Sequence, residues 1–147
     1  MASQIYTVGS STRTLADFLE TLSGFGVRTV ADVRRFPVSS RYAHFTRAAL
    51  EERLRIAGVA YTWLGEDLGG YRSGGFEAYR GAASFARGLR RLEALGAETP
   101  TAILCAERFP WRCHRRFIAT ALRQRGWEVV HILEPDRTWT PAEGQEG

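Results

Sequence analysis

Two hydrophobic periodicities alternate along the chain, and this alternation constrains the fold more than any other feature. Short apolar runs of strand character are separated by segments in which apolar residues recur every three or four positions, as in amphipathic helices. The predicted strands are residues 4–8, 27–33, 59–63, 101–106 and 127–133, and the predicted helices are residues 14–24, 47–57, 76–95 and 113–125. This order predicts an α/β fold with a mostly parallel sheet of about five strands flanked by helices on both faces, a three-layer arrangement.

The chain of 147 residues is long enough for one domain with a sizeable core. We assign residues 1–134 to a single α/β domain and residues 135–147, which contain few apolar side chains, to a flexible C-terminal tail. The apolar runs are far shorter than the roughly 18 residues that a membrane span requires. The first residues also lack the pattern of a signal peptide. We therefore expect no membrane association and a cytoplasmic location.

The basic residues of this chain are all arginine: 20 arginines give a formal net charge of +4, and lysine does not occur. The guanidinium group binds phosphate or carboxylate through two parallel hydrogen bonds and stacks on aromatic rings and bases. An arginine-rich surface therefore favours a phosphate-bearing partner, such as a nucleotide or a nucleic acid. Scattered solvated charges would explain the same composition without any partner.

Polar side chains and glycines follow four of the predicted strands. Ligands of parallel sheets bind beyond the carboxyl ends of the strands, so these loops are expected to meet at one edge. The residues concerned are Ser10, Ser11 and Thr12 after the first strand, Asp32 and Arg34 at the second, the five glycines of residues 64–75 after the third, and Cys105 and Glu107 at the fourth.

The segment from Cys105 to Arg116 combines cysteines with a cluster of cations. A helix that begins near Cys113 would place His114 and Arg115 in its first turn, where the helix dipole disfavours positive charge. A bound anion would reverse the sign of that cost, which favours a ligand site. The alternative is a structural ion pair with Glu107 or Asp32.

Arginine also stands beside aromatic residues in the loop after the second strand. Arg41 and Tyr42 together are suited to holding a phosphate and stacking a base. An equally good explanation is that the aromatic rings of this loop anchor it on the core.

The two cysteines allow a second kind of chemistry. A thiol next to a helix N-terminus and arginines is expected to ionise readily, so Cys105 and Cys113 are candidate nucleophiles; a buried cysteine acting as a small hydrophobe is the alternative. The loop after Cys105 resembles those of phosphatases and sulfurtransferases, which have an arginine six residues after the cysteine where this chain has Trp111. The spacing of the cysteines and histidine does not match a zinc site, so we expect neither a metal nor a cofactor.

Taken together, these motifs resemble the domain-of-unknown-function 488 family over about residues 4–133. The family usually has histidine near the first strand end, where this chain has Ser10. The resemblance implies the fold and the position of the site, but no particular reaction. The matching segments are Thr7–Thr12, Asp32–Arg34 with Pro37, Leu64 through Leu68–Gly70, Cys105–Glu107 with Pro110, and Cys113–Arg115.

Our leading hypothesis is that the strand-end cleft binds a nucleotide or nucleic-acid substrate and acts on it. Arg34, Arg41 and Arg115 would hold the anion, and Asp32 or Glu107 would act as general acid or base. The first alternative is a cysteine-dependent thiol, redox or sulfurtransferase-like enzyme. The second is a non-catalytic nucleic-acid-binding or regulatory module, so the sequence leaves open whether the protein is an enzyme.

Overall fold

The structure, a computed structural model, describes residues 3–37, 43–70 and 72–140. The strands are β1 (Gln4–Gly9), β2 (Thr29–Asp32), β3 (Ala60–Trp63), β4 (Thr101–Cys105), β5 (Glu128–Glu134) and β6 (Arg137–Trp139). The helices are α1 (Leu15–Gly24), α2 (Arg47–Ile56), α3 (Gly65–Leu68), α4 (Phe76–Tyr79), α5 (Ala83–Glu98) and α6 (Arg115–Gln124), with 3₁₀ turns at Ala43–Phe45 and Pro110–Arg112.

The strands form one sheet in the order β3-β2-β4-β1-β5-β6. Strands β1 to β5 are parallel, and β6 pairs antiparallel with β5. The carboxyl ends of five strands therefore meet at one edge. The predicted α/β fold with a mostly parallel sheet is confirmed, with six strands among the described residues instead of about five.

Side chains alternate between the two faces of the sheet and build a separate core on each. One core contains apolar residues of α1 and α2, namely Phe18, Leu22, Leu50 and Leu54. The other contains apolar residues of α5 and α6, including Leu89, Leu92, Ile118 and Leu122. Neighbouring positions of β4 divide accordingly, since Leu104 belongs to the first core and Cys105 to the second.

Local signals set the helix limits. Thr14 precedes α1, and its hydroxyl oxygen accepts a hydrogen bond from the Asp17 backbone N–H at 3.1 Å. The predicted helix over residues 76–95 is divided into α4 and α5 on either side of residues 80–82, which include Gly81. The helix predicted from residue 113 begins at Arg115, because Pro110–Arg112 forms a separate 3₁₀ turn before it.

Strand β6 lies within residues 135–147, the segment assigned to a flexible tail. Pro135 and Asp136 reverse the chain after β5, and the Trp139 ring then packs against His131 and Trp111, at centroid distances of 5.6 and 5.1 Å. A strand of three residues is too short to show periodicity in the sequence. Residues 141–147 of the same segment lie outside the described residues.

Candidate functional site

The loops after β1 and β4 are joined by backbone hydrogen bonds. The Ser10 N–H donates to the Cys105 carbonyl, and the Ser11 N–H donates to the Ala106 carbonyl, both at 2.8 Å. The two chains approach so closely that a Cβ at Gly9 would lie 2.0 Å from the Glu107 carbonyl oxygen, so this position requires glycine. This contact brings the loop after β1 beside Cys105 and Glu107.

Arg13 is a buried arginine that the sequence reasoning did not single out, and its side chain holds this loop in place. The Arg13 Nε donates to the Gly9 carbonyl at 2.8 Å, and its Nη2 donates to the Leu133 carbonyl at 2.5 Å. Arg13 therefore ties the ends of β1 and β5 to each other. Its position immediately after the predicted strand-end loop is the only signal that the sequence offers for it.

A cleft of about 650 Å³ opens at the carboxyl edge of the sheet. Eight residues predicted for the site line it: Ser10, Ser11, Thr12, Arg34, Cys105, Glu107, Cys113 and His114. Its other lining residues are Arg35, Phe36, Phe45, Gly70, Phe76, Ala106 and Arg112. The predicted residues Arg41 and Tyr42 lie outside the described residues.

Asp32 lies behind the cleft and not on its wall. Its side chain is fully buried, and both oxygens are engaged: Arg34 Nε donates to Oδ1 at 2.9 Å and Nη2 donates to Oδ2 at 2.8 Å. The Tyr61 hydroxyl also donates to Oδ2, at 2.5 Å. Asp32 thus forms the ion pair that fixes Arg34, and its role as general acid or base stays a prediction.

Arg34 occupies the boundary between the core and the cleft. Besides its two bonds to Asp32, its Nη1 donates to the Phe45 carbonyl at 2.6 Å. Burial lowers the pKa of Arg34, but the hydrogen bonds and the charge of Asp32 together outweigh it, so the pKa is raised. Arg34 is therefore a permanently charged and rigidly held donor at the cleft wall.

Arg115 is fully buried at the start of α6 and does not line the cleft. Its Nη2 donates to the Arg108 carbonyl at 2.7 Å, whereas Nε and Nη1 have no hydrogen-bond partner among the described residues. Arg115 is the first residue of α6 and its side chain is buried there, so its role in ligand binding stays a prediction.

Cys105 and Cys113 are close together, and neither forms a disulfide. The neighbouring Cys105 thiol is the largest influence lowering the pKa of Cys113, and His114 lowers it further. Burial is the main cause that raises the pKa of Cys105, whose thiol also contacts the Glu107 carbonyl at 3.4 Å. Cys105 therefore keeps its proton while Cys113 loses its own readily.

Two cations of the cleft wall, Arg35 and Arg112, were missed by the sequence reasoning. Both stand next to residues that were examined, Arg34 and Cys113, but their direction depends on the conformation of irregular loops. The aromatic wall formed by Phe36, Phe45 and Phe76 was also not predicted as a whole. Phe45 is buried, as expected for a ring that anchors its loop.

Within the described residues, no group of three or more histidine, cysteine, aspartate or glutamate side chains is arranged to hold a metal ion. His131 illustrates how the histidines are used in the core. It is buried and forms a hydrogen bond with Thr7 Oγ1 at 2.5 Å, and burial lowers its pKa to about 3. In the part of the chain that the structure describes, no helix has the length and apolar character needed to cross a bilayer.

Comparison with known proteins gives one match. The family model described as Domain of unknown function DUF488 matches residues 14–122, which include the ends of β2, β3 and β4 and the start of α6. No curated protein and no solved structure matches the chain significantly. The family resemblance inferred from the motifs is thus confirmed over most of the chain.

Proposed function

The chain belongs to the family Domain of unknown function DUF488, whose description names no reaction, and we propose a function from the cleft itself. The cleft binds a phosphate-bearing ligand, namely a nucleotide or a nucleic acid. The observation that carries this proposal is the excess of arginine over carboxylate on the cleft wall.

Three arginines and one glutamate line the cleft: Arg34, Arg35, Arg112 and Glu107. The charge of Arg34 is balanced by Asp32, and Arg112 and Arg35 add two further guanidinium groups to the wall. Arg34 nevertheless has two N–H groups beyond its three bonds to Asp32 and Phe45, because a guanidinium carries five. Guanidinium donors in a partly enclosed site favour phosphate oxygens.

The loop after β1 adds uncharged donors to the same wall. Ser10, Ser11 and Thr12 line the cleft, and Ser11 has a φ of 45°, in the left-handed region that turns the loop sharply around the cleft. Hydroxyl groups bind phosphate and sugar oxygens equally well. This part of the wall is thus suited to a phosphate ester with a polar organic group.

The size and the aromatic rim favour a nucleotide over inorganic phosphate. Ligand pockets of small molecules have volumes of roughly 300–1,000 Å³, and this cleft has about 650 Å³. Phe36 lines it with 61% of its surface exposed, and the Arg35 guanidinium lies 5.6 Å from the centre of the Phe36 ring. Exposed aromatic rings beside arginines provide surfaces on which bases stack.

The experiment compares Arg112→Ala with Arg28→Ala in binding to a mononucleotide, a single-stranded oligonucleotide and inorganic phosphate, by calorimetry over a range of salt concentrations. Arg28 precedes β2 at the opposite edge of the sheet, so the two variants lose the same charge from different places. We expect Arg112→Ala to weaken nucleotide binding roughly tenfold, the loss of one charged hydrogen bond. The slope of log K against log salt should also fall by about one.

Equal nucleotide affinities of Arg112→Ala and Arg28→Ala would contradict the assignment of the cleft as the binding site. Absence of binding to all three ligands by the unaltered protein would contradict the proposed function itself.

A further inference from the structure

The surroundings of Cys113 contain the parts of an activated nucleophile. The Cys113 sulfur lies in the cleft wall, 3.5 Å from Nδ1 of His114, and the backbone N–H of Arg115 donates to it at 3.5 Å. A nucleophile, a base within reach and a third group that orients the base are the features shared by catalytic triads. Here Cys113 is the candidate nucleophile and His114 is the base.

The third group is the Val33 carbonyl at the end of β2. The His114 Nε2 lies 3.3 Å from the Val33 oxygen. A carbonyl oxygen only accepts, so Nε2 carries the hydrogen and Nδ1 presents its lone pair to Cys113. The ring is held in this orientation by Phe76, at a centroid distance of 5.0 Å, and by Gly70, where a Cβ would lie 3.4 Å from Nδ1.

Two buried groups lie beside this sulfur. Cys105 retains its proton because burial raises its pKa, and its thiol donates to the Glu107 carbonyl at 3.4 Å, so the thiol of this pair that ionises is Cys113. Arg115, one residue after His114, is a fully buried cation whose Nε and Nη1 atoms lack acceptors among the described residues. An uncompensated buried cation is costly unless an anion lies nearby, and a thiolate is such an anion.

We infer that Cys113 is a catalytic nucleophile, activated by His114, that attacks the phosphorus of a phosphate ester bound in the cleft. This inference rests on the proposed function, which supplies the phosphate-bearing ligand. Cys105 and Arg115 act through Cys113 as positioning residues, and neither touches the substrate.

The reaction balances without an oxidant or reductant. His114 Nδ1 takes the thiol proton, the sulfur–phosphorus bond forms, and the ester phosphorus–oxygen bond breaks. The imidazolium gives its proton to the leaving oxygen, which departs as an alcohol. Water then attacks the phosphorus, His114 accepts a proton from it, and the sulfur leaves as the thiolate; the products are the alcohol and inorganic phosphate.

The first measurement is the pH dependence of alkylation by iodoacetamide, with the modified cysteine located by peptide mass analysis. We expect Cys113 to be the modified residue, with a midpoint below the ordinary thiol pKa of about 8.5. His114→Gln keeps a donor for the Val33 carbonyl but removes the base, so its midpoint should move toward the ordinary value. A midpoint near 8.5 in the unaltered protein would overturn the inference.

The second measurement is turnover of 4-nitrophenyl phosphate and of a mononucleotide, with acid-quenched samples examined for a phosphoryl group on Cys113. Cys113→Ser and His114→Gln should each lower kcat at least 100-fold, whereas Arg28→Ala should leave it unchanged. Turnover that persists in Cys113→Ser overturns the inference, as does release of sulfite from thiosulfate with no hydrolysis of either ester.

Binding by Cys113→Ser separates this inference from the proposed function. If Cys113→Ser binds the nucleotide normally but the unaltered protein hydrolyses neither ester, the assignment of Cys113 as nucleophile is wrong and the proposed binding function is retained. Covalent phosphorylation of Cys113 by the aryl phosphate, without measurable affinity for any nucleotide or oligonucleotide, supports the nucleophile and contradicts the nucleotide ligand.

Discussion

Arg34 and Arg115 are both buried near the carboxyl edge of the sheet, but their charges are compensated in different ways. Arg34 forms two hydrogen bonds with the fully buried carboxylate of Asp32 and a third with the Phe45 carbonyl. Arg115 has one hydrogen bond, to the Arg108 carbonyl, and no carboxylate partner among the described residues. Arg34 is thus part of a structural ion pair, whereas Arg115 has no counter-ion among the described residues.

This difference distinguishes an ion pair that stabilises the fold from a buried charge that has no carboxylate partner among the described residues. A buried carboxylate whose two oxygens both accept hydrogen bonds holds one geometry, which here presents Arg34 to the cleft. A buried cation without a counter-charge instead raises the electrostatic potential of its surroundings, and the Arg115 charge lowers the pKa of the neighbouring Cys105. Unsatisfied groups of this kind are expected where an ion forms or binds.

The largest effect should come from breaking the completed pair. Asp32→Ala leaves Arg34 and the Tyr61 hydroxyl without their acceptor, and we expect the free energy of unfolding to fall by about 3–5 kcal/mol. Chemical denaturation monitored by circular dichroism measures this loss. Glu52→Ala is the matched control, because it removes a carboxylate from an exposed pair with Arg55 and should cost far less. Equal losses would show that Asp32 is not a structural partner.

Tyr61→Phe tests one bond of the same pair. The hydroxyl donates to Asp32 Oδ2 at 2.5 Å, and the ring packs against the core of α1 and α2. Removal of the hydroxyl should lower the free energy of unfolding by about 1.5–3 kcal/mol, the range for hydrogen bonds to charged groups. In the Asp32→Ala background the same substitution should cost much less, and a double-mutant cycle reports the difference. Simple additivity would contradict a direct bond.

The fold was predictable from the sequence because its signals are local. Apolar periodicity identified the strands and the long helices, and parallel strands necessarily end at one edge, so Ser10, Cys105 and Glu107 were expected together. Strand β6 was not predicted, since three residues show no period. The exact division of residues 76–95 was not predictable, because Gly81 indicates an interruption or a kink but not its length.

The electrostatic roles within the site depend on the direction of individual side chains, which the sequence does not reveal. Asp32 was a candidate acid or base because it stands at a strand end. Its carboxylate instead accepts a hydrogen bond from Tyr61, which lies on the neighbouring strand β3 and is distant from Asp32 in sequence. Arg115 was a candidate ligand-binding residue because it opens a helix. Its side chain is buried at the start of α6, and the packing that buries it is not visible in the sequence.

His131 provides a pH-dependent test of the region around Arg115. Burial, together with the charges of Arg115 and Arg123, lowers its pKa to about 3, so it remains neutral in the folded protein. The unfolded chain binds a proton with a pKa near 6.5, so the unfolded state holds more protons between pH 6.5 and 3. Stability is therefore lost as the pH falls through this window, by about 1–2 kcal/mol between pH 6.5 and 5.

Denaturant unfolding at several pH values measures this slope, and His131→Gln should flatten it whatever its effect on stability at neutral pH. Because other groups contribute equally to both proteins, the difference between the two slopes is the relevant quantity. Parallel slopes would mean that His131 is charged in the folded state beside Arg115, contrary to its neutral assignment.

The smallest change in stability should come from Arg115→Met, and this contrast with Asp32→Ala is the sharpest test of the comparison. Methionine fills a similar volume, and replacement of a buried charge by an apolar side chain is often neutral or stabilising. The lost bond to the Arg108 carbonyl offsets part of that gain, so we expect the free energy of unfolding to change by no more than about 1 kcal/mol. The midpoint of Cys113 alkylation should nevertheless rise, since a nearby positive charge is gone. A loss of stability as large as that of Asp32→Ala would mean that Arg115 already has a strong anionic partner in the folded protein, and the distinction between the two arginines would then disappear.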